Sequence, residues 1–133
     1  MLIESVTKTT SKSATDIYAM YSDVNNWKNW DKSVESSKLE GEFKVGATGT
    51  TKSAGGPNSK IVITGAAPNE YAASTCGLPG CKIIFEQRIK DLGNTREVTH
   101  SVRLEGFLAP VFKLILGKDL TKDIESGVDN VCK

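Results

Sequence analysis

The sequence predicts an α+β fold, with a seven-stranded antiparallel sheet packed against one long C-terminal helix. Three observations predict it. Between residues 32 and 106, strand-like runs alternate with Gly, Pro and Asn punctuation. The intervals between those runs are too short for a parallel crossover. Residues 108–131 then repeat apolar side chains at helical spacing.

Each element can be justified in order. Residues 2–9 are β-branched and half polar, which predicts the first strand. Ser13 precedes a helix as N-cap, with Asp16 at the third helical position near the positive helix end. Ile17, Met20, Tyr21 and Val24 form its apolar face. After an interruption at 23–26, Trp27 and Trp30 lie three apart on a second short helix or turn. Six strands follow at 34–39, 48–53, 60–66, 70–76, 81–90 and 95–105, each closed by a turn signal. The final helix, 108–131, is about 36 Å long at about 1.5 Å per residue. Leu108, Val111, Phe112, Ile115, Leu116, Leu120, Ile124, Val128 and Val131 are read as its buried side, and Lys113, Lys118, Lys122, Glu125 and Asp129 as its solvated side. Pro110 is tolerated in the first turn, while Gly117 and Gly127 mark close approach of another backbone.

Composition narrows the functional classes. The 133 residues make one ordinary domain, 1–133, long enough to bury its own core. Lys plus Arg number 17 against 16 Asp plus Glu, a balance that argues against a nucleic-acid partner. No apolar run approaches the length of a membrane span, so no integral membrane association is expected. The first residues lack a signal-peptide layout, so a mature, cytoplasmic chain is expected. Cys76, Cys81, Cys132 and the single His100 are too scattered for a zinc site, and neither a metal nor another cofactor is expected. Cys76 and Cys81 read either as two thiols or as a redox pair across a hairpin tip.

Strand parity places polar groups inside. In 95–105, Val98, His100, Val102 and Leu104 share the apolar face. In 81–90, Ile83, Phe85, Gln87 and Ile89 do the same. A two-residue loop at Gly93-Asn94 sets Gln87 opposite His100, and a loop two residues longer sets Phe85 there while keeping the same face inward. The preceding hairpin is open. A four-residue loop at 77–80 pairs Cys76 with Cys81 and turns Ala72, Ser74 and Cys76 inward; one bulged residue turns Tyr71, Ala73 and Thr75 inward instead.

The stretch Tyr21-Ser22-Asp23-Val24-Asn25-Asn26-Trp27-Lys28-Asn29-Trp30-Asp31 resembles the START-related, polyketide cyclase/dehydrase-like (SRPBCC) superfamily, which includes the birch pollen allergens. Its members typically carry D-V-x-x-W-x-x-W-D after the first helix. Leu39-Glu40-Gly41-x-Phe43-x-x-Gly46, Thr99-His100-x-Val102 and Gly106-Phe107-Leu108-Ala109 extend the match over essentially the whole chain. The resemblance implies a helix-grip fold, a curved sheet wrapped round the C-terminal helix with two short helices after strand 1. It also implies a cavity for a small hydrophobic ligand such as a lipid, polyketide or aromatic. Parity and resemblance together nominate His100, Gln87, Phe85, Val98, Val102, Trp30, Phe112 and Leu116 as ligand contacts. His100 carries three readings: general acid/base of a cyclase or dehydrase, ligand hydrogen-bonder, or core histidine satisfied by Gln87 or a carbonyl. Trp27 and Trp30 either guard the cavity mouth or pin the short helix. A ligand-free protein-interaction module is the remaining alternative.

Overall fold

The computed structural model describes residues 1–56 and 58–133. The order is β1 (Leu2–Thr10), α1 (Ala14–Ser22), a 3₁₀ helix (Val24–Asn29), β2 (Val34–Leu39), β3 (Thr48–Ser53), β4 (Asn58–Ala67), β5 (Tyr71–Leu78), β6 (Cys81–Asp91), β7 (Arg96–Glu105) and α2 (Ala109–Cys132). The seven strands form one antiparallel sheet in the order β1-β7-β6-β5-β4-β3-β2. Elements β2 to β7 are therefore a continuous meander, and β1 closes it beside β7. This is the α+β arrangement that the element order predicts and the helix-grip that the resemblance implies.

Local chemistry explains the element ends. Ser13 Oγ accepts the Asp16 N–H at 3.1 Å, capping α1. Leu92 donates to the Thr95 carbonyl at 2.9 Å, closing a two-residue turn at Gly93-Asn94. That turn sets Gln87 opposite His100 in the β6–β7 ladder.

The β5–β6 hairpin is tighter than the four-residue loop expected. Leu78 pairs with Cys81, so only Pro79 and Gly80 turn, with Gly80 at φ +68. Cys76 therefore faces Ile83, not Cys81, and the cross-strand thiol pair does not form. The loop is shorter by two residues, an even number, so parity survives and Ala72, Ser74 and Cys76 point inward. The neighbouring β4–β5 ladder carries a register shift between Ile63 and Gly65, while the β5–β6 ladder is unbroken.

Gly106 connects β7 to α2 at φ +122, and a Cβ there would come within 2.5 Å of the Gly80 carbonyl oxygen. Leu108 donates to that same oxygen at 3.0 Å, tying the start of α2 to the hairpin tip. Gly106→Ala is expected to cost about 1–3 kcal/mol through strain and steric conflict. The check is urea unfolding of both proteins; an unchanged midpoint would contradict the tight-turn account.

The core forms two clusters under α2. One gathers Ile17, Tyr21, Trp30, Ile89, Val98, Val128 and Val131. The other gathers Val102, Leu104, Ala109, Leu120 and Ile124, with Phe112 and Leu116 packed on it. The close contacts of α2 run along β1 and β7, with fewer to β6. A straight rod cannot follow a curved sheet across all seven strands, so the β2–β5 half is left unfilled.

The buried side of α2 is narrower than the sequence periodicity predicts. Val111 and Ile115 are exposed, whereas Leu120, Ile124, Val128 and Val131 are buried. With Phe112, Leu116 and Leu120 turned to the sheet, Val111 and Ile115 fall about 100° round the helix on the outward face. No described helix is long and apolar enough to cross a membrane.

Candidate functional site: a hollow between sheet and helix

The unfilled half of the sheet becomes a hollow of about 490 Å³. Its sheet wall carries Thr51, Ile61, Ser74, Cys76, Ile83, Phe85 and Gln87. The helix wall carries Leu116, Leu120, Ile124 and Gly127, with Asp119, Lys122 and Asp123 beside them. Trp27, Trp30, Asp31, Ser33 and Val34 close one side, and His100 lies in the floor.

Five of the eight nominated residues line this hollow: His100, Gln87, Phe85, Trp30 and Leu116. Val98, Val102 and Phe112 do not. Val98 and Val102 are fully buried beneath α2, which covers the β7 end of the floor. Phe112 sits against the second core cluster, a turn before α2 reaches the hollow. These three support the walls from behind.

His100 is 1% exposed, and its Nε2 lies 2.7 Å from the Tyr21 hydroxyl. The partner is thus neither Gln87 nor a backbone carbonyl. Strand parity could not supply Tyr21, which arrives from α1. A signal existed nonetheless: a tyrosine on a buried helix face needs a partner for its hydroxyl, and few polar groups point inward. Burial drives the His100 pKa down to about 3. Burial also pushes the Tyr21 phenol well above its ordinary value, so it stays protonated. Hence the imidazole is neutral, and its pKa is poorly matched to proton transfer near neutral pH.

The protonation pattern then follows from counting donors. Tyr21 O–H has no other partner among the described residues, so it donates to Nε2. A neutral imidazole accepting at Nε2 carries its proton on Nδ1. That Nδ1 makes no hydrogen bond among the described residues, yet it is not sealed as a buried orphan. It lies beside Gly127, which with His100 lines the hollow, so this N–H is the donor left without a described partner at that wall. Neither the Gln87 amide nor the Ser74 hydroxyl is engaged by another described side chain or backbone group, and Ser74 is 6% exposed.

Aromatic packing holds this ring in place. Tyr21, Trp30 and His100 meet edge-on, with centroids 5.6 Å apart for Tyr21–Trp30, 5.5 Å for Tyr21–His100 and 5.6 Å for Trp30–His100. Trp27 Nε1 donates to the Tyr21 carbonyl at 2.9 Å, and Trp30 Nε1 to the Met20 carbonyl at 3.3 Å. These bonds satisfy carbonyls in the last turn of α1. Both tryptophans therefore pin the 3₁₀ segment and also border the hollow. Gly127 lets α2 approach this cluster: a Cβ there would lie 3.5 Å from Trp30 Cζ3 and 3.7 Å from His100 Nδ1. The close approach is to side chains, not to another backbone.

The rim is acidic. Asp31 accepts from Ser33 N at 3.0 Å and Ser33 Oγ at 2.6 Å, yet burial still raises its pKa. Burial, then the charges of Asp31 and Asp119, lifts Asp123 to about 6. The sequence reading overlooked Asp119 and Asp123; each lies three residues beyond Leu116 or Leu120, spacing that puts it on a neighbouring face. Among the described residues, no group of three or more His, Cys, Asp or Glu side chains is placed to hold a metal. Burial pushes the Cys76 thiol up to about 11, so it is not a thiolate nucleophile at neutral pH.

Residues 4–133 match the family described as polyketide cyclase/dehydrase and lipid transport, and the chain belongs to it. No curated protein matches the chain. Solved structures show the same fold at low identity. Norcoclaurine synthase from Thalictrum flavum, in complex with dopamine and hydroxybenzaldehyde, superposes with a TM-score of 0.72 at 14% identity, over 97% of this chain and 83% of that one. Ara h 8.0201 gives 0.68 at 11% identity, over 96% and 95%. The di-domain ARO/CYC StfQ from the steffimycin biosynthetic pathway gives 0.73 at 8% identity; 99% of this chain matches half of that protein.

Proposed function

We propose that the chain binds one small, mainly apolar molecule in this hollow, with an oxygen acceptor on the ligand facing His100. The observation that carries the reading is an open space of about 490 Å³ whose apolar walls hold the unengaged polar groups of His100, Gln87 and Ser74. Ligand sites combine an apolar lining with a few placed polar groups, and polar groups inside a filled core are normally paired. Phe85, Trp30 and Leu116 supply apolar contact. His100 Nδ1–H donates to a carbonyl or hydroxyl oxygen, and Gln87 fixes a second polar atom. The acidic rim of Asp31, Asp119 and Asp123, opposed by Lys122, favours a neutral or cationic ligand over a carboxylate. The structurally similar norcoclaurine synthase holds small aromatic molecules, which supports a ligand of that size.

Titration with the neutral probe N-phenyl-1-naphthylamine tests the reading, together with native mass spectrometry for a co-purified molecule. Saturable one-to-one binding is expected. Leu116→Trp, which extends a half-buried side chain into the space, is expected to weaken it at least tenfold with little change in melting temperature. Absence of both a saturable signal and a bound molecule would overturn the proposal.

A further inference from the structure

The opening turns of α2 expose more apolar surface than the core can use. Phe107 is 83% exposed, Leu114 89%, Ile115 65% and Val111 48%. Val111, Leu114, Ile115 and Lys118 recur at i, i+3, i+4 and i+7, so they share one outward face. Phe107 adjoins the β5–β6 hairpin, where a Cβ on Gly80 would meet its ring tip at 2.9 Å. Phe107 is thus seated against that turn, just ahead of the helical face. Large contiguous apolar patches on a protein surface mark interaction sites.

The charge around it selects the partner. Residues 107–118 contain Lys113 and Lys118 and no acidic residue. Lys82 is exposed where β6 begins, and the acids that flank this stretch along the chain are Asp119, at the mouth of the hollow, and Glu105, which pairs with Arg103 at 3.6 Å. Apolar side chains flanked by lysines match an anionic lipid surface, where the rings and branched chains enter the acyl boundary and the ammonium groups meet phosphates. A second copy fits less well. A stable dimer buries roughly 800 Å² on each partner, more than four side chains present, and a two-fold pairing of this face sets lysine against lysine.

We infer that this face docks on anionic phospholipid membranes. It lies at the hairpin end of the hollow, since Leu78 and Leu116 line that space while Gly80 and Ile115 border the patch. A docked molecule therefore sets its hollow beside the bilayer. Docking itself does not require an occupied hollow, so it stands or falls separately from the ligand proposal.

Co-sedimentation of the full chain with phosphatidylcholine vesicles, with and without 30% phosphatidylserine, is the test. Binding is expected with phosphatidylserine, at least fivefold weaker without it, and reduced by 0.5 M salt. Leu114→Ser with Ile115→Ser alters exposed positions only, so it is expected to fold normally and lose at least tenfold in vesicle binding. Lys113→Glu with Lys118→Glu is expected to abolish the phosphatidylserine dependence. Equal binding by the serine variant, or no binding to either vesicle, would overturn the inference. So would sedimentation equilibrium showing a dimer that Leu114→Ser dissociates.

Discussion

Trp30→Ala lowers the stability of the fold by about 3–5 kcal/mol, the range for deleting a large buried aromatic. Trp30 is only 7% exposed and stands edge-on to both Tyr21 and His100. Its ring also backs onto Gly127 of α2, so three elements share one side chain. Truncation leaves a void that neither the sheet nor the helix can close, because Asn130 Nδ2 still holds the Trp30 carbonyl at 3.1 Å. Domains of ordinary stability have about 5–15 kcal/mol in total, so the variant is expected to be close to unfolding. In urea the midpoint is expected to fall by roughly 2 M, given typical slopes of 1–3 kcal/mol per molar. Trp27→Ala serves as the comparison. It is half-buried, stands edge-on to Trp30 with ring centroids 6.4 Å apart and loses one hydrogen bond, so about half the effect is expected. If Trp30→Ala cost under about 1 kcal/mol, the ring would be a guard at the mouth and not part of the core.

Much of the architecture was legible because it is governed by local chemistry. Gly93-Asn94 determines its own turn, and that turn propagates through the ladder to set Gln87 beside His100. Ser13 and Asp16 declare the start of α1 in the same local way. What parity cannot see is a contact arriving from another element. Strand alternation says which way His100 points; only the docking of α1 brings the Tyr21 hydroxyl to its Nε2. The helix shows the complementary difficulty. An apolar residue at nearly every position of 111–116 satisfies more than one face, so periodicity alone could not separate Leu116, which lines the hollow, from Ile115, which faces outward. Likewise, Val98 and Val102 share His100's parity but lie where α2 closes on β7. Membership of the hollow depends on where a straight helix leaves a curved sheet, a tertiary property that no strand carries by itself.

Acidification from pH 7 to pH 4 removes stability through His100, on the order of several kcal/mol. The sign follows from the direction of its shift. The folded pKa, about 3, lies below the ordinary value of 6.5. Between those values the unfolded chain binds the proton and the folded chain does not, so stability falls as pH is lowered through that window. The contribution is complete above 6.5. Asp123 acts oppositely: its folded pKa, about 6, lies above the usual 3.8, so stability is lost as pH rises through 6 and regained on acidification. The charged groups bearing on it are Asp31 and Asp119, both of which raise it, with Lys122 at the same rim. Urea unfolding of the protein, His100→Gln and Asp123→Asn at pH 7, 5.5 and 4 separates the two. The advantage of the parent chain over His100→Gln is expected to shrink toward low pH. Its disadvantage against Asp123→Asn is expected to shrink over the same range. Proton NMR of the single imidazole provides a readout that no unfolding assumption enters: its ring signals stay fixed from pH 8 to 4.5 in the folded protein. A titration centred near 6.5 would mean the ring is solvated, and the neutral Nδ1–H donor at the wall of the hollow would be lost with it.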